Sequence, residues 1–143
     1  MTRIGTITAV LLLTACGGGS PPPLATASPG PVLIVERFLQ AANSNDLSTM
    51  TELFGTADRT IVQLDGREAA EQRMYVLASL LRHDDFTVLG QQRVPGRLRD
   101  ATELLVELHQ GEERVVVPHL VVRRKGGGWV IERIDVEPLT RVR

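Results

Sequence analysis

The sequence predicts an α+β fold in which three N-terminal helices pack on a curved antiparallel sheet of four or slightly more strands. Two observations carry this prediction. Apolar residues recur at helical spacing in the first half of the chain, and runs rich in Leu and Val, separated by glycine turns, follow in the second half. Helices that cover one face of an antiparallel sheet are typical of this class.

The first two predicted helices each have one apolar edge. The first begins near Val32, and its stripe turns inward while Glu36, Arg37 and Gln40 face water. Asp46 is placed to cap the second, short helix, which Gly55 ends. The inward residues of the first helix are Val32, Val35, Phe38, Leu39 and Ala42, and those of the second are Leu47, Met50, Leu53 and Phe54.

A third helix follows a short apolar segment. Residues 60 to 64 alternate weakly and are interpreted as a strand or an extended linker. Asp65 and Glu68 then have the spacing of a capping box, and the helix they introduce ends near Arg82. Its inward stripe consists of Ala69, Ala70, Met74, Leu77, Ala78 and Leu81.

The second half predicts a meander of four strands. Phe86, Val88 and Val94 share one face of the first strand, and the other strands cover residues 101 to 109, 114 to 124 and 129 to 137. Pro118 lies in the middle of the third strand, where it cannot donate a ladder hydrogen bond. That strand is therefore expected at a sheet edge, or bulged and bent at this point.

Composition excludes several classes of protein. The 143 residues include 16 Lys and Arg against 17 Asp and Glu, so the chain lacks the positive charge typical of nucleic-acid binders. Its single cysteine excludes an intrachain disulfide framework and a cysteine-rich zinc site. The clustered Arg93, Arg97 and Arg99 are followed by acidic residues and are interpreted as a solvated edge.

Residues 1 to 15 have the layout of an exported leader. Arg3 precedes an apolar run that is too short to span a bilayer, and small residues precede Cys16. Leu13, Thr14, Ala15 and Cys16 resemble the lipobox of bacterial lipoproteins. The resemblance implies cleavage before Cys16, acyl chains on its sulfur, and a lipid-anchored protein of the bacterial cell envelope.

The residues after the lipobox predict a tether. Residues 16 to 31 are uncharged and rich in Gly and Pro, a composition typical of linkers. Gly17 occupies the position where an aspartate signals inner-membrane retention in lipoproteins of diderm bacteria. The resemblance thus implies the periplasmic face of the outer membrane if the cell has two membranes. The folded domain is expected over residues 32 to 143.

The order of elements in residues 32 to 143 resembles the cystatin-like, NTF2-like fold, including small lipoproteins of the DUF4878 type. The end of the first helix (residues 38 to 42), the link at residues 45 to 47 and the hairpin strand at residues 128 to 131 carry this resemblance. It implies a cone in which the sheet wraps around the third helix, with a pocket at the open end. The superfamily includes enzymes and noncatalytic binding domains.

The candidate pocket residues are Tyr75, His109 and His119. In the ketosteroid isomerase and polyketide cyclase branches a base and an oxyanion donor act together in the cone. No spacing in this chain matches their catalytic motifs, and His83, Asp84 and Asp85 are interpreted as a helix end and a solvated loop. The sequence therefore assigns no catalytic residue, metal ligand or cofactor.

The favoured function is a noncatalytic domain that binds a small apolar ligand or an envelope protein and is anchored through acyl chains on Cys16. Pairing of two copies through the sheet face is a further expectation, and no nucleic acid is expected. The alternative is a cyclase-like or isomerase-like enzyme with an acid/base residue in the cone.

Overall fold

The computed structural model describes residue 24 and residues 29–97 and 100–141. The helices are α1 (Pro29–Ser44), α2 (Leu47–Leu53), α3 (Ile61–Asp65), α4 (Arg67–Leu80) and α5 (Glu137–Arg141). The strands are β1 (Asp85–Arg93), β2 (Ala101–Gln110), β3 (Glu113–Arg123) and β4 (Trp129–Ile134). The predicted α+β class is confirmed, although the described residues form five helices where three were predicted.

Helix α1 begins at Pro29, inside the segment that the sequence assigned to the tether. Proline suits the first turn of a helix, where its missing N–H leaves no bond unmade. Gly30 lies directly against the indole of Trp129, and a Cβ at position 30 would be 2.7 Å from Trp129 Nε1. Pro31 is buried. Gly30 and Pro31 therefore belong to the packed domain.

The connection between α2 and α4 differs from the prediction. Helix α2 and its cap are confirmed, since Asp46 accepts a hydrogen bond from the Thr49 N–H at 3.1 Å. The strand or linker expected at residues 60 to 64 is wrong, because Thr60 caps α3 in a reciprocal capping box with Gln63. The capping box expected at Asp65 is also wrong, because Gly66 occupies the N-cap of α4.

The sheet is an antiparallel meander in the order β1-β2-β3-β4, as predicted. Strand β4 is shorter than expected, because residues 137–141 form α5 instead of continuing the strand. The register of β1 shifts between Val88 and Gly90, and Leu89 is exposed at this irregularity. Val94 lies beyond the end of β1 and packs on Leu120, Val122 and Val130.

Pro118 lies in a central strand, and its place there has a local explanation. Its carbonyl accepts a hydrogen bond from the Asp135 N–H at 2.9 Å, just beyond the end of β4. The nitrogen and the carbonyl of a strand residue face the same neighbour, so the missing N–H points to the side where β4 ends. The register of β3 and β4 shifts between Leu120 and Val121, so the bulge lies two residues beyond Pro118 and not at the proline itself.

The helices cover the inner face of the sheet, and aliphatic side chains fill the space between them. Helix α1 approaches β2, β3 and β4, and α5 approaches β3. Helix α4 packs on α1, α2 and α3, and its buried residues Met74 and Ala78 belong to the same core cluster as the inner face of the sheet. Fully buried residues of the interior include Val35, Phe38, Leu39, Met50, Met74, Leu104, Leu108, Val117 and Ile131.

Candidate functional site

The predicted site residues lie in separate environments. Leu13, Thr14, Ala15 and Cys16 fall outside the described residues. Tyr75 lies on α4 with 59% of its surface exposed, whereas His119 on β3 is fully buried. Within residues 29–97 and 100–141, no hydrogen bond or ion pair joins Tyr75, His109 and His119. The structure does not assemble these three residues into one site.

His119 is held inside the aliphatic core. Its Nδ1 lies 2.9 Å from the carbonyl oxygen of Val117, and its register partners are Leu104 and Ile134. Nε2 is buried and has no hydrogen-bond partner among the described residues. Burial lowers the pKa of His119 from 6.5 to about 4, although the contact with Val117 acts in the opposite direction. The imidazole is therefore neutral at physiological pH.

His109 belongs to a charged cluster at the end of β2. Its Nε2 lies 3.0 Å from Glu107 Oε1 and 3.1 Å from Arg114 Nη1. Arg114 also lies 3.4 Å from the same Glu107 oxygen. The imidazole thus interacts with charged partners at the domain surface rather than with groups of the apolar interior.

His83 has a structural role. Asn43 at the end of α1 donates to the His83 carbonyl at 3.0 Å and accepts from the His83 N–H at 3.2 Å. The imidazole also packs against the Phe86 ring in a T-shaped arrangement, with centroids 5.5 Å apart. These contacts fasten α1 to the segment between α4 and β1, which the interpretation of His83 as a helix-end residue did not predict.

Three clefts of about 390 to 410 Å³ open between described residues. None of them is lined by Tyr75, His109 or His119. The most apolar one lies between α4 and the end of β4, and we call it the α4–β4 cleft. Its lining consists of Phe54, Arg73, Val76, Leu77, Leu80, Arg133, Ile134 and Val136.

The α4–β4 cleft combines apolar walls with two positive charges. Phe54 and Ile134 are buried, whereas Val76 is 55% exposed. The guanidinium carbon of Arg73 lies 5.6 Å from the centroid of the Phe54 ring, and Nη1 of Arg73 lies 3.3 Å from Asp65. Arg133 lies 3.8 Å from Glu103. Neither carboxylate lines the cleft. The cleft therefore presents an apolar surface beside positive charge.

The sequence analysis did not predict this cleft, although the wall that α4 contributes can be recognised from residue spacing. Arg73, Val76, Leu77 and Leu80 lie three, four and seven residues apart, which places them on one helix face beside the core stripe. The second wall follows only from the fold, because it requires the end of β4 to lie opposite α4.

Arg97, from the basic cluster noted in the sequence, is engaged with an acidic side chain. Arg97 of the predicted basic edge makes two hydrogen bonds to Glu132, at 2.6 and 3.0 Å, and these bonds raise its pKa. Within the part of the chain that the structure describes, no three His, Cys, Asp or Glu side chains group as a metal ion requires. No described helix has the length and apolar character needed to cross a membrane.

Comparison with known proteins gives a structural similarity. No protein family model and no curated protein match the chain. A solved structure of an NTF2-like protein of unknown function from Cytophaga hutchinsonii is similar, with a TM-score of 0.41 and 14% sequence identity. The match covers 75% of this chain and 91% of that chain. The α+β class of the present domain follows from its own helices and sheet.

Proposed function

We propose that this chain is a bacterial envelope lipoprotein whose NTF2-like α+β domain binds a small apolar ligand and catalyses no reaction. One observation carries the proposal: aliphatic side chains fill the interior, while the α4–β4 cleft is open and mainly apolar. Small-molecule sites are typically concave and apolar, with a few polar groups that orient the ligand. The α4–β4 cleft has this character.

The arrangement of titratable groups argues against the enzymatic alternative. Proton abstraction beside a carbonyl needs a base and an oxyanion donor that both reach the substrate. His119 is buried among aliphatic side chains, and its lowered pKa makes it a weak base. Tyr75 is exposed on α4, and His109 is engaged with Glu107 and Arg114. These three residues therefore supply no such pair.

The lipid anchor in this proposal rests on the resemblance of residues 13 to 16 to a lipobox. Two or three acyl chains on Cys16 hold a protein firmly at a bilayer, whereas a single chain binds only marginally. Because Gly17 follows the cysteine, the proposal places the domain at the periplasmic face of the outer membrane in a diderm cell.

Replacement of the cysteine tests the anchor. We expect Cys16→Ser to abolish acyl labelling and to move the protein from the membrane fraction to the soluble fraction or leave the leader uncleaved. Ser20→Ala, four residues further on, is the control and should behave as wild type. Globomycin should block cleavage of the wild-type leader. Unchanged processing and membrane association of Cys16→Ser would refute the anchor.

A further inference from the structure

We propose that the α4–β4 cleft binds a single-chain amphiphile with a carboxylate head, of the fatty-acid class. This inference rests on the proposed function, because it takes this cleft to be the ligand site and then names the ligand chemistry. The observations that carry it are the apolar walls, the charge of the lining and the size of the cleft.

The walls suit a flexible hydrocarbon chain. Six of the eight lining residues are apolar, and they come from α4, from the end of β4 and from the segments that follow α2 and β4. Phe54 and Ile134 are buried at the cleft, and Val76 leaves more than half of its surface exposed. A bound chain would cover this apolar surface without needing hydrogen-bond partners.

The charge of the lining selects the head group. Both charged lining residues are arginines, Arg73 and Arg133, and their side chains are 54% and 66% exposed. Each has a carboxylate neighbour outside the cleft, Asp65 at 3.3 Å and Glu103 at 3.8 Å. Exposed ion pairs of this kind are weak, and a guanidinium has five N–H donors. An incoming carboxylate can therefore be bound by donors that these neighbours leave available.

The size of the cleft favours one chain. Its volume of about 390 Å³ is near the lower end of small-molecule pockets, which range from roughly 300 to 1,000 Å³. A two-chain phospholipid needs more apolar surface than the six lining residues provide. A single-chain carboxylate satisfies the size, the walls and the charge together.

Methyl NMR of the full 143-residue chain carrying Cys16→Ser tests the inference. The probes are sodium decanoate, 1-decanol and decyltrimethylammonium, which share one tail and differ in head charge. We expect decanoate to shift the methyl signals of Val76, Leu77 and Ile134, and to bind at least tenfold more tightly than the other two probes. The variant Arg73→Gln/Arg133→Gln should lose that preference.

Arg67→Gln is the matched control, because Arg67 is an exposed arginine of the same helix that does not line the cleft. Its affinity for decanoate should equal that of the parent chain. Equal binding of decanol and decanoate at the cleft methyls would overturn the carboxylate assignment and leave the ligand-binding function intact. If no probe shifts these methyls, both the inference and the proposed ligand site are wrong.

Discussion

At the scale of single residues, His119 introduces one polar ring into an otherwise aliphatic face of the sheet. Leu104 and Ile134 are its partners on the neighbouring strands, and its Nε2 atom is buried without a hydrogen-bond partner among the described residues. Protonation would place a charge where no carboxylate is bonded to the ring. The folded state must therefore keep His119 neutral.

This burial predicts an acid-sensitive fold. The pKa of His119 is about 4 in the folded state against an ordinary value of 6.5, so the unfolded chain binds more protons between these pH values. The stability that depends on neutral His119 is therefore fully present above about pH 6.5, and it is lost as the pH falls toward 4. This difference between the folded and unfolded pKa corresponds to a loss of about 3 kcal/mol in the free energy of unfolding. Urea unfolding followed by circular dichroism at several pH values measures it.

His119→Leu provides the comparison that isolates this residue. Leucine has a volume similar to that of histidine and removes the unpaired nitrogen. The unfolding free energy of the variant near neutral pH should therefore equal or exceed that of the wild type. The difference between the two proteins should grow in favour of the variant as the pH falls. Parallel pH curves would show that other groups cause the acid sensitivity.

At the scale of elements, the segment between α2 and α3 joins the helical layer to the edge of the sheet. Phe54 and Ile131 form a parallel bridge, and the Gly55 N–H donates to the Ile131 carbonyl at 2.9 Å. The chain then turns back, since the Ile61 N–H donates to the Phe54 carbonyl at 2.9 Å. Because Phe54 lines the α4–β4 cleft, this connection also sets the shape of the cleft.

Gly55→Ala tests the role of this connection. A Cβ at position 55 would lie 2.3 Å from the Arg59 carbonyl oxygen and 2.8 Å from the Thr60 Cα, both backbone atoms. We expect a loss of about 2 kcal/mol in unfolding free energy, since the backbone must shift to relieve the overlap. Gly126→Ala is the control, because a Cβ there meets no atom within 4 Å. Equal stability of the two variants would contradict this account.

The elements with long apolar patterns were predicted correctly. The apolar stripe of α1 extends over several helical turns, so the helical period is clear in its sequence. The apolar runs of β2 and β3 are long enough for the two-residue period of a strand to be recognised. Helix α3 has five residues, too few to separate helix from strand by period. The sequence feature that indicates α3 is the spacing of Thr60 and Gln63, which is that of a capping box. The feature that indicates α5 is Pro138, at the second position of the helix.

At the scale of the molecule, the candidate site depends on which elements the fold brings together. Arg73 is on α4 and Arg133 is on β4, and no spacing rule relates two residues so far apart in sequence. The sequence analysis also chose the candidate pocket residues by the chemistry of their side chains. The chemistry of a side chain does not determine whether it faces the core or the solvent. Tyr75 faces solvent and His119 faces the core because of their positions on an amphipathic helix and an alternating strand.

The N-terminal boundary of the folded domain can be tested by truncation. Among the residues that the structure describes, the buried side chains lie between Pro31 and Leu139, and Trp129 packs against Gly30. A chain that begins at Pro29 keeps the described contacts of Gly30 and Pro31, so we expect it to unfold with the same free energy as one that begins at Gly17. A chain that begins at Val32 lacks Pro31 and Gly30, so it should lose about 1 to 2 kcal/mol of stability.

Trp129 reports this difference directly, because it is the single tryptophan in the sequence. In the chain that begins at Val32 its indole loses the cover of Gly30, so its fluorescence emission should shift to longer wavelength. The chain that begins at Pro29 should keep the emission of the longer chain. If the emission and stability of all three chains agree, the domain begins at residue 32, as the sequence predicted, and the first turn of α1 contributes nothing to the fold.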